Sequence, residues 1–272
     1  MKKIFCFAAA LCALTLAAEC QIKNNAKVAF LGDSITRQGQ VRSAGYVNLV
    51  IQVLAQNKIN VTPIKAGISG HKSNQMLERL DRDVISKKAD FLFVSCGVND
   101  VWHGARGVKL EDYKKNMTAI VDKAQKAGIK VCLMTATMIK EDPENELNKT
   151  LAPYNAFLRK LAAEKKCLLA DTNADMQQAL KELRKKYPRA KGNLLTGDGV
   201  HMAPAGDMLM ARCLLKAVGL PDEAVNFEKL DCKAEVLLRV PLKFYQELYH
   251  NSLKNGQGAN GVGSVVNLSV KK

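Results

Sequence analysis

Short apolar runs alternate with longer amphipathic stretches along most of the chain. The runs, each rich in Val, Ile, Leu or Phe, cover 28–31, 59–64, 91–95, 129–135 and 167–170. Stretches with apolar residues at helical spacing cover 46–56, 74–87, 110–127, 151–165, 172–186 and 204–218. Strands that alternate with helices in this way are typical of a parallel sheet covered on both faces. The pattern therefore predicts an α/β domain built on five parallel strands.

The first residues have the layout of a secretory signal peptide. Residues 1–19 begin with Lys2 and Lys3, continue in an apolar run and end in small residues. We therefore expect export, to the periplasm or out of the cell. An alternative is a lipoprotein anchored through Cys20, although Glu19 stands where a small residue is expected before a lipidated cysteine.

The alternating pattern stops near residue 220. Residues 20–220 are expected to form one catalytic domain of ordinary size. Residues 221–272 hold no candidate chemistry and are expected to form an extension packed on that domain. The apolar run of the signal is shorter than the ~20 residues that span a bilayer, and no later segment is long enough, so no transmembrane segment is predicted.

Charge and cysteine content exclude several classes of protein. The formal net charge is +15, but the lysines are scattered over helix faces and are not interleaved with aromatic residues. This indicates a solvated surface and no nucleic-acid partner. A surface adhesin that uses the positive charge is an alternative. The cysteines lack paired metal-ligand spacing, so neither a metal site nor a cofactor is expected.

Four short blocks carry candidate chemistry. They are Gly32-Asp33-Ser34, Gly67 through Gly70, Gly97-Val98-Asn99-Asp100 and Asp198-Gly199-Val200-His201. The first three follow the first three predicted strands, at the sheet edge where open α/β folds place their sites. Serine-type acyl transfer needs a hydroxyl, an imidazole, an acid that orients it and donors for an oxyanion. The four blocks together supply all of these groups.

Spacing assigns the candidates within the blocks. Asp198 and His201 stand three residues apart, so one turn of chain lets the carboxylate reach the imidazole. His201 is favoured as the base over His71 because only His201 has an acid at suitable spacing. A phosphate-binding loop at the second block is disfavoured, because that motif requires glycine directly before Lys72, where this chain has His71.

The blocks resemble those of the SGNH hydrolases of the GDSL esterase and lipase superfamily over residues 26–218. The resemblance implies a flavodoxin-like three-layer α/β/α sandwich with strand order 2-1-3-4-5. It implies Ser34 as nucleophile, His201 as base and Asp198 as orienting acid. The backbone N–H groups of Ser34 and Gly70 and the side chain of Asn99 would form the oxyanion hole. The second block departs from the pattern at Ala66, where the family often has asparagine.

These features predict a secreted serine esterase that removes short acyl groups, chiefly acetyl, from carbohydrate. Four residues in or near the blocks are expected to bind substrate: Asp33, His71, Trp102 and His103. Trp102 has two interpretations, a surface for sugar stacking or a packing residue. The rival activities are a lysophospholipase or thioesterase, which needs an apolar groove, and an inactive carbohydrate-binding relative.

Overall fold

The computed structural model describes residues 20–227 and Leu230. The predicted signal peptide and most of the predicted extension lie outside the described residues. The five strands are β1 (Lys27–Gly32), β2 (Thr62–Gly67), β3 (Phe91–Ser95), β4 (Lys130–Met134) and β5 (Leu168–Ala170). The helices are α1 (Ser34–Val41), α2 (Tyr46–Gln56), α3 (Ser73–Glu78), α4 (Val98–Trp102), α5 (Leu110–Lys126), α6 (Glu146–Glu164), α7 (Thr172–Lys186) and α8 (Pro204–Ala217). A π-helical segment covers Asp81–Ile85, and 3₁₀ turns cover Gly104–Arg106 and Asp222–Ala224.

The strands form one parallel sheet in the order β2-β1-β3-β4-β5, which confirms the predicted α/β/α fold. Helices flank the sheet: α2 packs on α8 and α8 on α7, while α3 packs on α5 and α5 on α6. β1 and β3 are buried along nearly their whole length, as expected for central strands covered on both faces. Gly32 and Gly67 are register partners at the ends of β1 and β2. The first two blocks therefore leave the sheet side by side.

The second strand lies three residues later than the predicted 59–64. Lys58 has φ +62°, and the Ile59 N–H donates back to Leu54 O at 2.9 Å, so this stretch closes the end of α2. Ile59 and Val61 pack against the core from there. The apolar run thus ends a helix before pairing begins at Thr62. Pro63, which lacks an N–H donor, lies on this strand at the edge of the sheet.

The helices also differ from the pattern in three places. The predicted helix 74–87 is divided into α3 and the π-helical segment, with the buried Arg79 between them. Helix α6 begins at Glu146 because the Asn145 side chain caps it, accepting from the Leu147 N–H at 3.0 Å. Helices α1 and α4 arise where the sequence indicated only turns.

The chain beyond residue 220 continues to pack on the domain within the described residues. Val225 and Leu230 are buried. The Asn57 side chain donates to Ala224 O at 3.0 Å, and Arg212 pairs with Asp222 at 3.0 Å. No helix among the described residues is long and apolar enough to cross a membrane.

Candidate active site

A hydrogen-bonded chain joins Ser34, His201 and Asp198. Ser34 Oγ lies 2.9 Å from His201 Nε2, and His201 Nδ1 lies 2.6 Å from Asp198 Oδ2. The carboxylate fixes the tautomer: Nδ1–H donates to Asp198, and Nε2 is left to accept from the Ser34 hydroxyl. Such an arrangement can remove a proton from the hydroxyl as its oxygen attacks an electrophile.

The end of β1 and the start of α1 place Ser34. Asp33 is the N-cap of α1, and its Oδ1 accepts from the Ile35 N–H at 2.9 Å. Ser34 is therefore the first helical residue, where its own N–H has no partner within the helix. Ser34, with this N–H and a partly exposed side chain, therefore lies just beyond the carboxyl end of β1.

The segment before α8 places Asp198 and His201. Asp198 Oδ1 accepts from the N–H groups of Val200 at 2.9 Å and His201 at 2.7 Å. Partial burial raises the pKa of Asp198, but these bonds and the contact with the His201 ring outweigh burial and lower the pKa to about 2. Asp198 is thus a carboxylate at neutral pH.

Gly70 and Asn99 lie on the loops that follow β2 and β3, the two strands on either side of β1. Gly70 has φ +77°, and a Cβ added there would meet nothing within 4 Å, so the space where a side chain would project is open. Asn99 Nδ2 donates to Asp33 Oδ2 at 3.2 Å and to the carbonyl oxygen of His71 at 3.3 Å. These two long bonds hold the amide between the first and second blocks.

Two buried carboxyl groups lie beneath these loops. Asp33 and Asp100 are each 2% exposed. Burial raises the pKa of Asp33 to about 6 against the lowering effect of the Ile35 N–H, and the nearby Asp100 raises it further. Burial likewise raises the pKa of Asp100, whose Oδ1 accepts from the Ser73 hydroxyl at 2.6 Å. Both acids are buried and bond to groups within the protein.

His71 is oriented by an arginine that the sequence analysis missed. The Arg79 side chain is 3% exposed, and its Nε donates to His71 Nδ1 at 3.2 Å. The guanidinium also donates to Ala66 O at 2.8 Å and Gly32 O at 2.9 Å, at the ends of β2 and β1. Because Nδ1 accepts, the His71 proton is on Nε2. Burial lowers the pKa of His71, and the Arg79 charge lowers it further.

Trp102 and His103 follow the third block at the end of α4. Trp102 is 41% exposed and is one of two large exposed hydrophobic side chains among the described residues. His103 is partly buried. Trp102 is therefore not a core residue.

The structure also reveals Glu141, a buried acid on the loop after β4 that bonds to the segment before Asp198. No pattern marked this residue, because it lies in a polar turn far along the chain from the blocks. Arg79 had a weak signal: it is a basic residue beside the apolar stripe of Met76 and Leu80. Within residues 20–227, no group of three His, Cys, Asp or Glu side chains is arranged to hold a metal ion.

Residues 30–209 match the model of the GDSL-like lipase/acylhydrolase family. The acetylxylan esterase of Geobacillus stearothermophilus is 29% identical over 218 residues, which cover 73% of this chain and 96% of that enzyme. The lipoprotein YqeF of Bacillus subtilis is 23% identical over 220 residues, 71% of this chain and 89% of its own.

Solved structures show the same likeness. The crystal structure of Axe2, the Geobacillus stearothermophilus acetylxylan esterase, has a TM-score of 0.66 at 29% identity and covers 74% of this chain and 97% of its own. Three further structures of that enzyme are catalytic mutants with one replacement each: a serine, an aspartate or a histidine is changed to alanine. The acetyl xylan esterase AlAXEase has a TM-score of 0.64 at 35% identity and covers 71% of this chain and 99% of its own.

Proposed function

The chain belongs to the GDSL-like lipase/acylhydrolase family and is a carboxylic ester hydrolase, and from that premise we propose that it removes acetyl groups from carbohydrate through an acyl-enzyme on Ser34. The hydrogen-bonded chain of Ser34, His201 and Asp198 carries the proposal. The likeness to two acetylxylan esterases supports an acetylated polysaccharide or oligosaccharide as substrate.

The reaction begins when Ser34 Oγ attacks the acetyl carbonyl carbon and His201 Nε2 takes the hydroxyl proton. His201 then gives this proton to the sugar oxygen as the ester bond breaks, which releases the sugar alcohol and leaves acetyl-Ser34. Water attacks the acetyl carbonyl carbon next and gives a proton to His201, which returns it to Ser34 Oγ as the bond from this oxygen to the acetyl group breaks, so acetic acid leaves and the free serine is restored. Asp198 keeps the ring in place and stabilises its protonated form throughout.

Three donors stabilise the negative oxygen of the tetrahedral intermediates: the backbone N–H groups of Ser34 and Gly70 and the Asn99 amide. Asn99 Nδ2 is already held by two bonds longer than 3.1 Å, so it exchanges or shares one of them as charge develops. Because the amide is held in place before the reaction, this exchange needs little movement of the donor. Asp33 contributes by orienting Asn99 and takes no part in contacting substrate.

Sugar recognition falls to Trp102, His71 and His103. The exposed indole of Trp102 offers an apolar face for a pyranose ring. His71 presents Nε2–H as a donor for a hydroxyl or ring oxygen, because Arg79 occupies Nδ1. His103 adjoins Trp102 on the same loop.

Hydrolysis of p-nitrophenyl acetate, butyrate and octanoate by the protein and by Ser34→Ala tests the proposal. We expect the rate to fall with acyl length and the Ser34→Ala rate to be lower by at least about 10³-fold. Ser86→Ala is the control, since this hydroxyl lies on the segment entering β3 and bonds to Arg82 O; its activity should equal that of the parent.

Acetylated xylo-oligosaccharides then test the substrate, with acetate release as the readout. Rates that rise with acyl length would favour a lysophospholipase or thioesterase. If the protein binds the sugar but shows no hydrolysis that depends on Ser34, the esterase mechanism is rejected in favour of a binding protein.

We propose export as the setting of this activity, on the strength of residues 1–19. Cys20, the first described residue, is partly buried against the core. N-terminal sequencing of the protein recovered from a bacterial expression host tests this: cleavage within residues 17–20 is expected, and an intact Met1 on the mature protein would contradict it.

A further inference from the structure

The carboxylate of Glu141 is buried beneath the loop that leads to His201. Glu141 is 6% exposed. Its Oε2 accepts from the Leu194 N–H at 2.6 Å, and its Oε1 accepts from the N–H groups of Leu195 at 2.8 Å and Thr196 at 2.5 Å. The Thr196 hydroxyl also donates to Oε1, at 2.6 Å. Within the described part of the chain, no basic side chain pairs with Glu141, so these four donors alone compensate its burial.

A second contact ties the same two segments together. The Lys140 N–H donates to Gly199 O at 2.7 Å, and the Gly199 N–H donates to Thr196 Oγ1 at 3.1 Å. Gly199 has φ +93°, and a Cβ added there would lie 3.1 Å from the Lys140 Cα. The backbones therefore approach more closely than most side chains permit.

The loop after β4 adopts a strained conformation to make these contacts. Lys140 has φ +60° and Glu141 has φ +46°, so two consecutive residues with side chains occupy the left-handed region. Such conformations persist only where the surroundings hold them, and they concentrate at functional sites.

The contacts reach the proposed acid and base through the backbone. Gly197 N–H donates to His201 O at 2.8 Å, and Ala203 N–H donates to Leu195 O at 2.9 Å, which closes residues 195–203 into a tight loop with Asp198 near its tip. The Asp198 side chain is 58% exposed, so little packing holds it in place. Its position depends on the backbone that Glu141 anchors.

We propose that Glu141 is a positioning residue, whose carboxylate anchors residues 194–196 so that Asp198 and His201 face Ser34. The proposal rests on the proposed roles of these three residues. Glu141 itself transfers no proton and contacts no substrate.

Glu141→Gln is the first test, because it keeps the shape of the side chain but turns an NH₂ group toward a backbone N–H. We expect kcat for p-nitrophenyl acetate to fall by about 10²-fold, as for a reacting group displaced by about 1 Å, with KM changed by less than about threefold. Glu144→Gln is the matched control, since Glu144 is exposed on the same loop and should leave both constants unchanged.

The pH profile separates positioning from a loss of folded protein. If the loop is displaced, Asp198 no longer stabilises the protonated His201 ring, and the acidic limb of kcat/KM moves to lower pH. A variant that is merely less stable would show the parent profile with fewer active molecules. Titration of active sites with a fluorophosphonate counts those molecules.

Thr196→Val and Thr196→Ser decide the question where Glu141→Gln does not fold. Valine removes the hydroxyl that joins Glu141 to Gly199, whereas serine keeps it, so kcat per titrated site should fall about tenfold in the first and stay near the parent in the second. If Glu141→Gln folds, a kcat per titrated site equal to that of Glu144→Gln would overturn the proposal. If Glu141→Gln does not fold, equal kcat per titrated site in Thr196→Val and Thr196→Ser would overturn it. If the parent itself shows no turnover that depends on Ser34, the proposed function fails instead.

Discussion

At the residue scale, Asp33 shows how one buried side chain connects the blocks. Its two oxygens accept from the Ile35 N–H and the Asn99 amide, so it caps the helix that carries Ser34 and orients a proposed oxyanion donor. A carboxylate in this position is poorly solvated. Its burial raises its pKa to about 6, so the residue changes charge near that pH.

Asp33→Asn should change how stability depends on pH. A carboxyl group whose pKa is raised from 3.8 to about 6 favours the folded state below pH 4, and this contribution is lost as the pH rises through 6. Relative to Asp33→Asn, the parent should lose about 2 kcal/mol of unfolding free energy between pH 4 and pH 7, because about 1.4 kcal/mol corresponds to each pKa unit and part of the change already occurs below pH 4. Urea unfolding of both proteins at these pH values measures the difference. A difference that stays constant with pH would show that Asp33 is ionised as readily in the folded protein as in the unfolded chain.

The sequence predicted the site blocks more completely than their supports. Reactive groups next to predicted strand ends marked Ser34 and Asn99. The three-residue spacing of an acid and an imidazole marked Asp198 and His201. Arg79 and Glu141 act through backbone carbonyl and N–H groups that become neighbours only after folding. Their positions along the chain therefore give little indication of their partners.

At the scale of elements, strand termini and helix starts bring the site together. β1, β2 and β3 are neighbours in the sheet, so the loops that hold Ser34, Gly70 and Asn99 meet at one edge. The strand order was implied by family resemblance, and the individual strands by apolar runs. The pattern placed β2 three residues too early, because Ile59 and Val61 are apolar residues that pack at the end of α2. Periodicity does not distinguish such packing residues from the residues of a strand.

Arg79→Met should loosen the junction between α3 and the sheet. The substitution leaves Gly32 O, Ala66 O and Asp83 without the donor they share, and breaking a buried charged network of this kind costs about 3–5 kcal/mol. Denaturant unfolding measures the loss. Arg82→Met is the control: Arg82 also pairs with Asp83, but its side chain is 72% exposed, and little change is expected. Equal losses in the two variants would mean that the buried contacts of Arg79 contribute nothing beyond the ion pair.

At the scale of the whole molecule, residues beyond the end of the alternating pattern still pack on the core. Leu220, Val225 and Leu230 are all buried, and Asn57 and Arg212 bond to residues 222–224. We propose that the first ten residues of the predicted extension complete the hydrophobic core. Sequence reasoning placed a boundary at residue 220 because strand–helix alternation and candidate chemistry both stop there, and neither signal reports packing.

Two truncated chains test this boundary. A chain ending at Gly219 loses three buried aliphatic side chains, each worth about 1.5–3 kcal/mol, whereas a chain ending at Lys233 keeps them. The shorter chain should therefore unfold at a clearly lower temperature than the longer one, as measured by circular dichroism. Equal midpoints would show that residues 220–233 add no stability.

The hydrogen bond between Ser34 and His201 joins residues 167 positions apart. A chain emerging from the ribosome or a translocation channel therefore carries the proposed nucleophile long before it carries the proposed base, and it stays inert toward esters until the segment that holds His201 has docked beside Ser34. Pairing over such a distance is slow compared with local helix formation. During refolding, hydrolysis of p-nitrophenyl acetate should consequently return later than the helical circular dichroism signal. Simultaneous recovery would mean that the two ends of the site meet as early as the helices form.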